Sequence, residues 1–389
     1  MTVIIACAGQ LLVHDEIDTT SADARQISAF LDGAAAFSNL EACVETVGAW
    51  STKTKTLHLC SPAAVASLGA LGFDGLTHAN NHAFDLGPPG LAHTRHVVEA
   101  EGLAFTGSGA DVVAAMRPAN VVTPGGRVSI FGVDLGPQPA INYAGASRAG
   151  IAPLAVRRTV TAPASLYETF RHFNDSLGEG AREAARAQVG HRSAKPESGM
   201  ELFGVHLVQG ESIADHRRPE ASDWERLIEA MAQARHEGAA LIAICLHNHH
   251  WEPDWTLTPN WLLDLSRRLI DAGADLILGH GAPVLQGVVF HKDKPIIAGA
   301  GNLFFHTRRP EVYRDKGVDV FRSAMFRATF NEQRACTRLD VLPVAVGEEI
   351  YAGPQPAPSL LSGRDAAQMM ERVVAHLSPA DRDRVQQAS

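Results

Sequence analysis

Gly72-Phe-Asp-Gly-Leu-Thr-His-Ala-Asn-Asn-His-Ala-Phe-Asp85-Leu-Gly87 is the stretch that decides how this chain folds. Its short apolar run predicts a strand over 73–78 that delivers Asn80, Asn81, His82 and Asp85 to the edge of a sheet. An amide oxygen, an imidazole and a carboxylate so close together can make a metal ligand, an acid/base and its orienter. Leu246-His-Asn-His-His-Trp-Glu252 and Leu278-Gly-His-Gly281 have the same placement after apolar runs. Three polar clusters at three predicted strand ends point to one site, because open α/β sheets bind ligands at the carboxyl ends of their strands.

Working outward, strands are predicted at 2–9, 127–134, 239–246, 275–279, 286–290 and 295–299. Helices are predicted at 22–36, 61–71, 88–102, 221–237 and 258–273, with Ser61-Pro62 and Pro88-Pro89 as start signals. Alternating strands and helices imply a layered α/β fold. Residues 323–345 read as two paired strands within a main domain spanning 1–345. A segment at about 145–200, rich in Arg, Ala, Ser and Glu and ending in the polar run 193–199, reads as an inserted helical cap. Residues 346–389 read as a linker, a helix at 363–377 and a polar tail.

The chain has 389 residues, 46% hydrophobic and 20% charged, which is ordinary for a globular protein. Its net charge of −9, with no dense basic patch, argues against a nucleic-acid partner. Cys7, Cys43, Cys60, Cys245 and Cys336 are an odd set without a CxxC pair, which argues for a reducing compartment. With no membrane span and no basic leader at the N-terminus, a cytoplasmic location is the expectation.

Glu41, Asn81, His247 and His280 each follow a predicted strand or sit in a tight polar turn, and together their atom types suit a divalent metal. His82 with Asp85 reads as an acid/base pair. A second pair combines His247 or His249 with an Asp such as Asp134 or Asp254, so His247 stands between ligand and base. Each residue also has a plainer reading. An Asn-Asn-His turn alone is usually a loop hydrogen-bonding motif, Glu41 alone is a solvated carboxylate, and Cys60 is a small buried hydrophobe. Trp251 could wall a substrate or simply pack.

Ala79-Asn-Asn-His82 with Asp85 and Gly87, then Ile270-Asp-Ala-Gly-Ala-Asp275, Gly279-His280, Val284-Leu-Gln-Gly287, Lys294-Pro-Ile-Ile and Gly301-Asn302-Leu-Phe, occur in the order found in CapA-type proteins, which this chain resembles. These are named for poly-γ-glutamate capsule synthesis. The resemblance covers roughly 1–145 and 203–330 and implies the calcineurin-like metallophosphoesterase fold, a four-layer α/β sandwich. It also implies metal ligands at Glu41, Asn81, His247 and His280; Gln10, Cys60, Trp251 and Asn302 are expected near a substrate. Two departures fall on one half of the family's usual two-metal site: Gln10 follows Gly9 where the family has Asp, and Pro283 stands where it has a second His. A single hard ion, Ca, Mn or Mg, is therefore expected. Some CapA-like proteins epimerise ribosomally made lasso peptides. Similarity to that group implies a peptide epimerase that inverts a Cα centre, using His82, Asp85, His249 and Asp134 for proton transfer. The rival readings are a phosphoesterase or poly-γ-glutamate-related hydrolase, and a non-catalytic peptide-binding protein.

Overall fold

A computed structural model describes residues 2–54, 56–138, 141–191, 198–307, 309–347 and 353–388. The chain divides into a large unit, 1–155 with 221–389, and a small one, 156–220.

The large unit is a mixed α/β fold built on two sheets. In the first, Val3–Cys7 lies between Arg322–Phe330 and Ala35–Asn39, and the order continues through Gly75–Thr77 to Ala104–Thr106. On the far side, Arg322–Phe330 pairs antiparallel with Cys336–Ala345 over nearly its whole length. Val3–Cys7, Ala35–Asn39, Gly75–Thr77 and Ala104–Thr106 are mutually parallel, so their C-terminal ends lie on one edge. The second sheet runs Ala119–Thr123, Gly126–Asp134, Leu241–His247, Leu276–His280, Lys294–Ile297, Val288–His291. Its four central strands are also parallel. Parallel strands buried on both faces need continuous apolar runs, and Leu241–His247 is buried throughout.

Ile5, Phe37, Ile130, Ala243, Leu278 and Phe326 belong to one apolar core to which both sheets contribute. A second core packs the first sheet against the helices Ala22–Leu31, Pro62–Leu71 and Gly87–Ala100 through Ile27, Leu68 and Val98. The helices Ala221–His236 and Asn260–Asp271 pack on Leu241–His247 and Leu276–His280.

One expectation changes. The predicted helix over 22–36 stops at Leu31, and Ala35–Asn39 is a central strand. Ala-Ala-Phe has no β-branched residue to announce it, yet buried between parallel neighbours it needs only to be small and apolar. The expected insert at about 145–200 overlaps the small unit, 156–220, which holds strands as well as helices. The small unit joins the helices Ala164–Ser176 and Glu179–Gln188 to a four-stranded sheet, in which Val156–Ala162 pairs with Val205–Gln209 and Ala214–Pro219. Most of the breaker run 193–199 lies outside the described residues. In the C-terminal region, expected as linker, helix and polar tail, Ser359–Leu360 and Val385–Gln387 pair with Cys336–Ala345, and Met369 and Val373 of the helix Gly363–Val374 enter the core shared by the two sheets. No helix of the described residues is long and apolar enough to cross a membrane.

Candidate metal centre and its surroundings

The polar residues singled out above sit where parallel strands end. Glu41 follows Ala35–Asn39, Asn81 and His82 follow Gly75–Thr77, Asp134 closes Gly126–Asp134, and His247 and His280 are the last residues of neighbouring strands. Register sets Asp134 beside His247 and His247 beside His280. Small residues permit the close approach. A Cβ on Gly279 would lie 1.8 Å from the Ala298 carbonyl oxygen, so nothing larger fits immediately before His280.

His247 Nε2 lies 3.0 Å from Asn81 Oδ1 and 2.9 Å from His249 Nε2, and His249 Nε2 lies 3.1 Å from the same amide oxygen. Glu41 Oε1 is 4.0 Å from His247 Nε2. Two ring nitrogens at that separation share at most one proton, so the arrangement is an excess of lone pairs pointing at a common centre. Glu41, His247 and His249 form a group whose ligand atoms all lie within 4.8 Å of one another, able to hold one divalent ion. His249 joins it because residues two apart in an extended segment face the same way. His249 thus moves from expected acid/base to candidate ligand. His280 does not join the group. Its ring is buried, and neither nitrogen has a hydrogen-bond partner among the described residues.

Burial governs the protonation states. It pushes His247 well below the usual imidazole range, helped by the neighbouring His249 and His280, and lowers His280 to about 3. It raises Glu41 to about 8 against the pull of Lys53, with Asp85 and Asp134 adding to the rise. Without a cation this pocket therefore favours a protonated carboxyl and neutral imidazoles, and ion binding would release a proton.

Beside the metal ligands, His82 Nδ1 meets Asp85 Oδ2 at 2.8 Å. The other Asp85 oxygen is 2.5 Å from Lys53 Nζ, which also donates to the Asn81 carbonyl oxygen. The Lys53 side chain is 1% exposed. Burial raises Asp85, but the bond and charge of His82 and the charge of Lys53 outweigh it, so the group stays a carboxylate below its usual range. Lys53 was not legible in the sequence. It lies in a loop with no motif, and only folding reveals its buried ammonium. Asp134 is buried and raised to about 7, although Tyr143 Oη and Gly136 N both bond to its Oδ1; its Oδ2 has no hydrogen-bond partner among the described residues. Asp254, the other acid considered for a second pair, caps Thr256 in an exposed turn.

The four residues expected near a substrate separate. The Trp251 ring lies 5.1 Å from the His249 ring, tilted by 37°, and donates to the Asn248 carbonyl oxygen at 3.1 Å. Gln10 is buried, and its Oε1 accepts from Gly281 N at 3.0 Å, bracing the turn after His280. Asn302 is fully buried and gives its amide protons to Pro283 and Val320 carbonyl oxygens, each at 3.1 Å. Cys60 is fully buried in the apolar core beneath the helix Pro62–Leu71, where burial drives its thiol pKa up. Gln10 Oε1 and the Asn302 amide protons are committed to backbone partners, and Cys60 lies in the apolar core.

The family described as "Bacterial capsule synthesis protein PGA_cap" matches residues 4–307, from the first strand to just past Phe305. The chain belongs to this family. PGA_cap relatives include an uncharacterized protein, y4sH, of Sinorhizobium fredii, 26% identical over 273 residues, covering 68% of this chain and 55% of the relative. A probable polyglutamine synthesis accessory protein of Mycobacterium tuberculosis is 24% identical over 266 residues, covering 68% of this chain and 54% of the relative. The chain spans about half the length of the curated relatives it matches.

Proposed function

We propose that this chain is a single-ion hydrolase acting on a glutamyl-type amide, of the kind suggested by the polyglutamine-related name of its mycobacterial relative. One observation carries the reading: His247 Nε2, His249 Nε2 and Asn81 Oδ1 converge within 3.1 Å, and Asn81 is the chain neighbour of His82, which Asp85 orients. Glu41 completes a donor set that fits a divalent cation. A hard ion such as Mn, Mg or Ca, when bound, supplies Lewis-acid polarisation of a substrate carbonyl. The four-layer sandwich implied by the CapA resemblance belongs to this proposal; a core shared by two sheets, with helices packed on each sheet, supports it.

In this reading Asp85 accepts from His82 Nδ1, and His82 Nε2 takes a proton from the attacking water and passes it to the departing nitrogen. Lys53 keeps Asp85 ionised and ties it to the backbone of Asn81, so acid and ligand are positioned together. Release of nitroaniline from a γ-glutamyl nitroanilide in Mn²⁺ tests the proposal. His82→Ala should slow it roughly a hundredfold without changing Mn²⁺ affinity. Absence of metal-dependent release, or release indifferent to His82→Ala, would sink it. Metal-dependent cleavage of a nitrophenyl phosphate alone would favour phosphoester chemistry.

One observation favours a second reading, epimerisation at a Cα of a ribosomally made lasso-type precursor peptide. Asp134, with an uncommitted Oδ2 and a pKa of about 7, offers a proton-transfer group besides His82. Deuterium uptake from heavy water at one Cα, lost in both Asp134→Asn and His82→Ala, is its signature.

A further inference from the structure

A cavity of about 650 Å³ adjoins the metal centre and includes His14, Asp15, Glu45, His58, His306 and Arg309 in its lining. The volume is that of an ordinary small-molecule site. His58 links the cavity to the His82–Asp85 pair, its backbone amide donating to Asp85 Oδ2 at 2.9 Å. The His58 ring lies 4.1 Å from the ring of His82, and Tyr313, also in the lining, feels the charge of Glu41.

The charges in the cavity are of both signs and are kept apart. Asp15 and Glu45 both act electrostatically on the thiol of Cys60, so they lie toward the strand Leu59–Cys60. Arg309 acts on Tyr313 and belongs to the wall built from the segment after Asn302–Phe305. Among the described residues, none of Asp15, Glu45 and Arg309 has an ion-pair partner, although all three line one cavity. Between the two groups, His306 Nδ1 accepts from His14 N at 3.0 Å, which leaves the proton of the neutral ring on Nε2 as a donor. A purely anionic ligand such as a phosphoester would face two uncompensated carboxylates. A ligand with an ammonium at one end and a carboxylate at the other satisfies both groups.

We propose that the cavity recognises an α-amino-acid head group, with ammonium and carboxylate on one Cα, as at the amino end of a γ-linked glutamyl chain. Asp15 and Glu45 take the ammonium; Arg309 and His306 take the carboxylate. This rests on the hydrolase reading above by naming the end of the substrate that binds, and it predicts action from the chain end rather than within the chain.

The test is calorimetric titration of the Mn²⁺-loaded His82→Ala protein with γ-glutamylglutamate, its N-acetyl derivative and the amide of its head-group carboxylate. The parent should bind, and each derivative should bind about tenfold more weakly. Arg309→Met should erase the penalty for the amide and leave that for acetylation; Glu45→Gln should reduce the penalty for acetylation alone. Both recognition variants, Arg309→Met and Glu45→Gln, change exposed side chains, so folding is checked simply by an unchanged melting temperature. No binding of the parent, equal binding of all three ligands, or unchanged discrimination in both variants would overturn the proposal. Head-group-dependent binding without any turnover by the wild-type protein would leave it standing while removing the hydrolase reading.

Discussion

The strand Leu276–His280 has a buried polar residue at each end, and the fold treats the two in opposite ways. At the entry, Asp275 is fully buried and answered on every side: Arg235 at 2.5 Å, Lys294 at 2.7 Å and the amide of Ile242 at 2.9 Å. At the exit, His280 is equally buried but neither ring nitrogen has a partner among the described residues. The same split runs across the sheets. At another entry, Asp74 before Gly75–Thr77 accepts from the Ala36 amide at 2.8 Å, whereas at the exits Glu41, Asp134 and His247 each keep an unpartnered polar atom. Buried polar groups ordinarily find partners, so a cluster of exceptions at one edge marks where a ligand supplies them. Entries build the fold, and exits are held ready for chemistry.

Breaking an entry gives the largest effect. Asp275→Asn leaves three cations, Arg235, Lys294 and Arg334, around a neutral amide and should cost about 3 kcal/mol of unfolding free energy, measured by urea titration. A loss below 1 kcal/mol would mean that the Arg235–Asp275–Lys294 group is not the anchor described here. His78 gives an effect of similar size through pH. It is buried, bonded to Ser108 and the Ala42 carbonyl oxygen, and lowered by burial to about 4. Its folded pKa lies below its unfolded value, so the unfolded chain takes the proton first as pH falls. The stabilisation is whole above about pH 6.5 and is lost progressively toward pH 4, amounting to roughly 3 kcal/mol. His78→Gln should flatten that part of the stability profile, and an unchanged slope would refute the assignment. The smallest effect belongs to the exit. His280→Leu removes a desolvated ring that nothing pairs, so the metal-free protein should gain up to about 1 kcal/mol. Stabilisation by added Mn²⁺ should persist, because Glu41, His247 and His249 remain. A loss like that of Asp275→Asn would erase the distinction between the two strand ends.

Much of this contrast could be read from the sequence, and the parts that could not have physical reasons. Asn81, His82, Asp85, His247 and His280 were visible because each follows an apolar run and strands put their ends on one edge. The strand Ala35–Asn39 that delivers Glu41 was hidden by alanines, which suit a helix as well as a crowded parallel sheet. His249 looked like a base until the extended backbone after Leu241–His247 turned it to the same side as His247. Lys53, and the meeting of His14, His58 and His306 around one cavity, depend on contacts between distant segments that no local pattern encodes. Two of the small unit's strands, Val156–Ala162 and Ala214–Pro219, were missed because they are largely polar and only partly buried, so no apolar alternation announces them.

The account stands on a one-ion centre built from strand exits. Its most direct test is the Mn²⁺ stoichiometry of the purified full chain, by equilibrium dialysis with elemental analysis, beside His247→Ala. One ion per chain in the wild type, with affinity falling at least about a hundredfold in the variant, is the expected result. Two ions per chain at saturation, or equal binding by the variant, would contradict it.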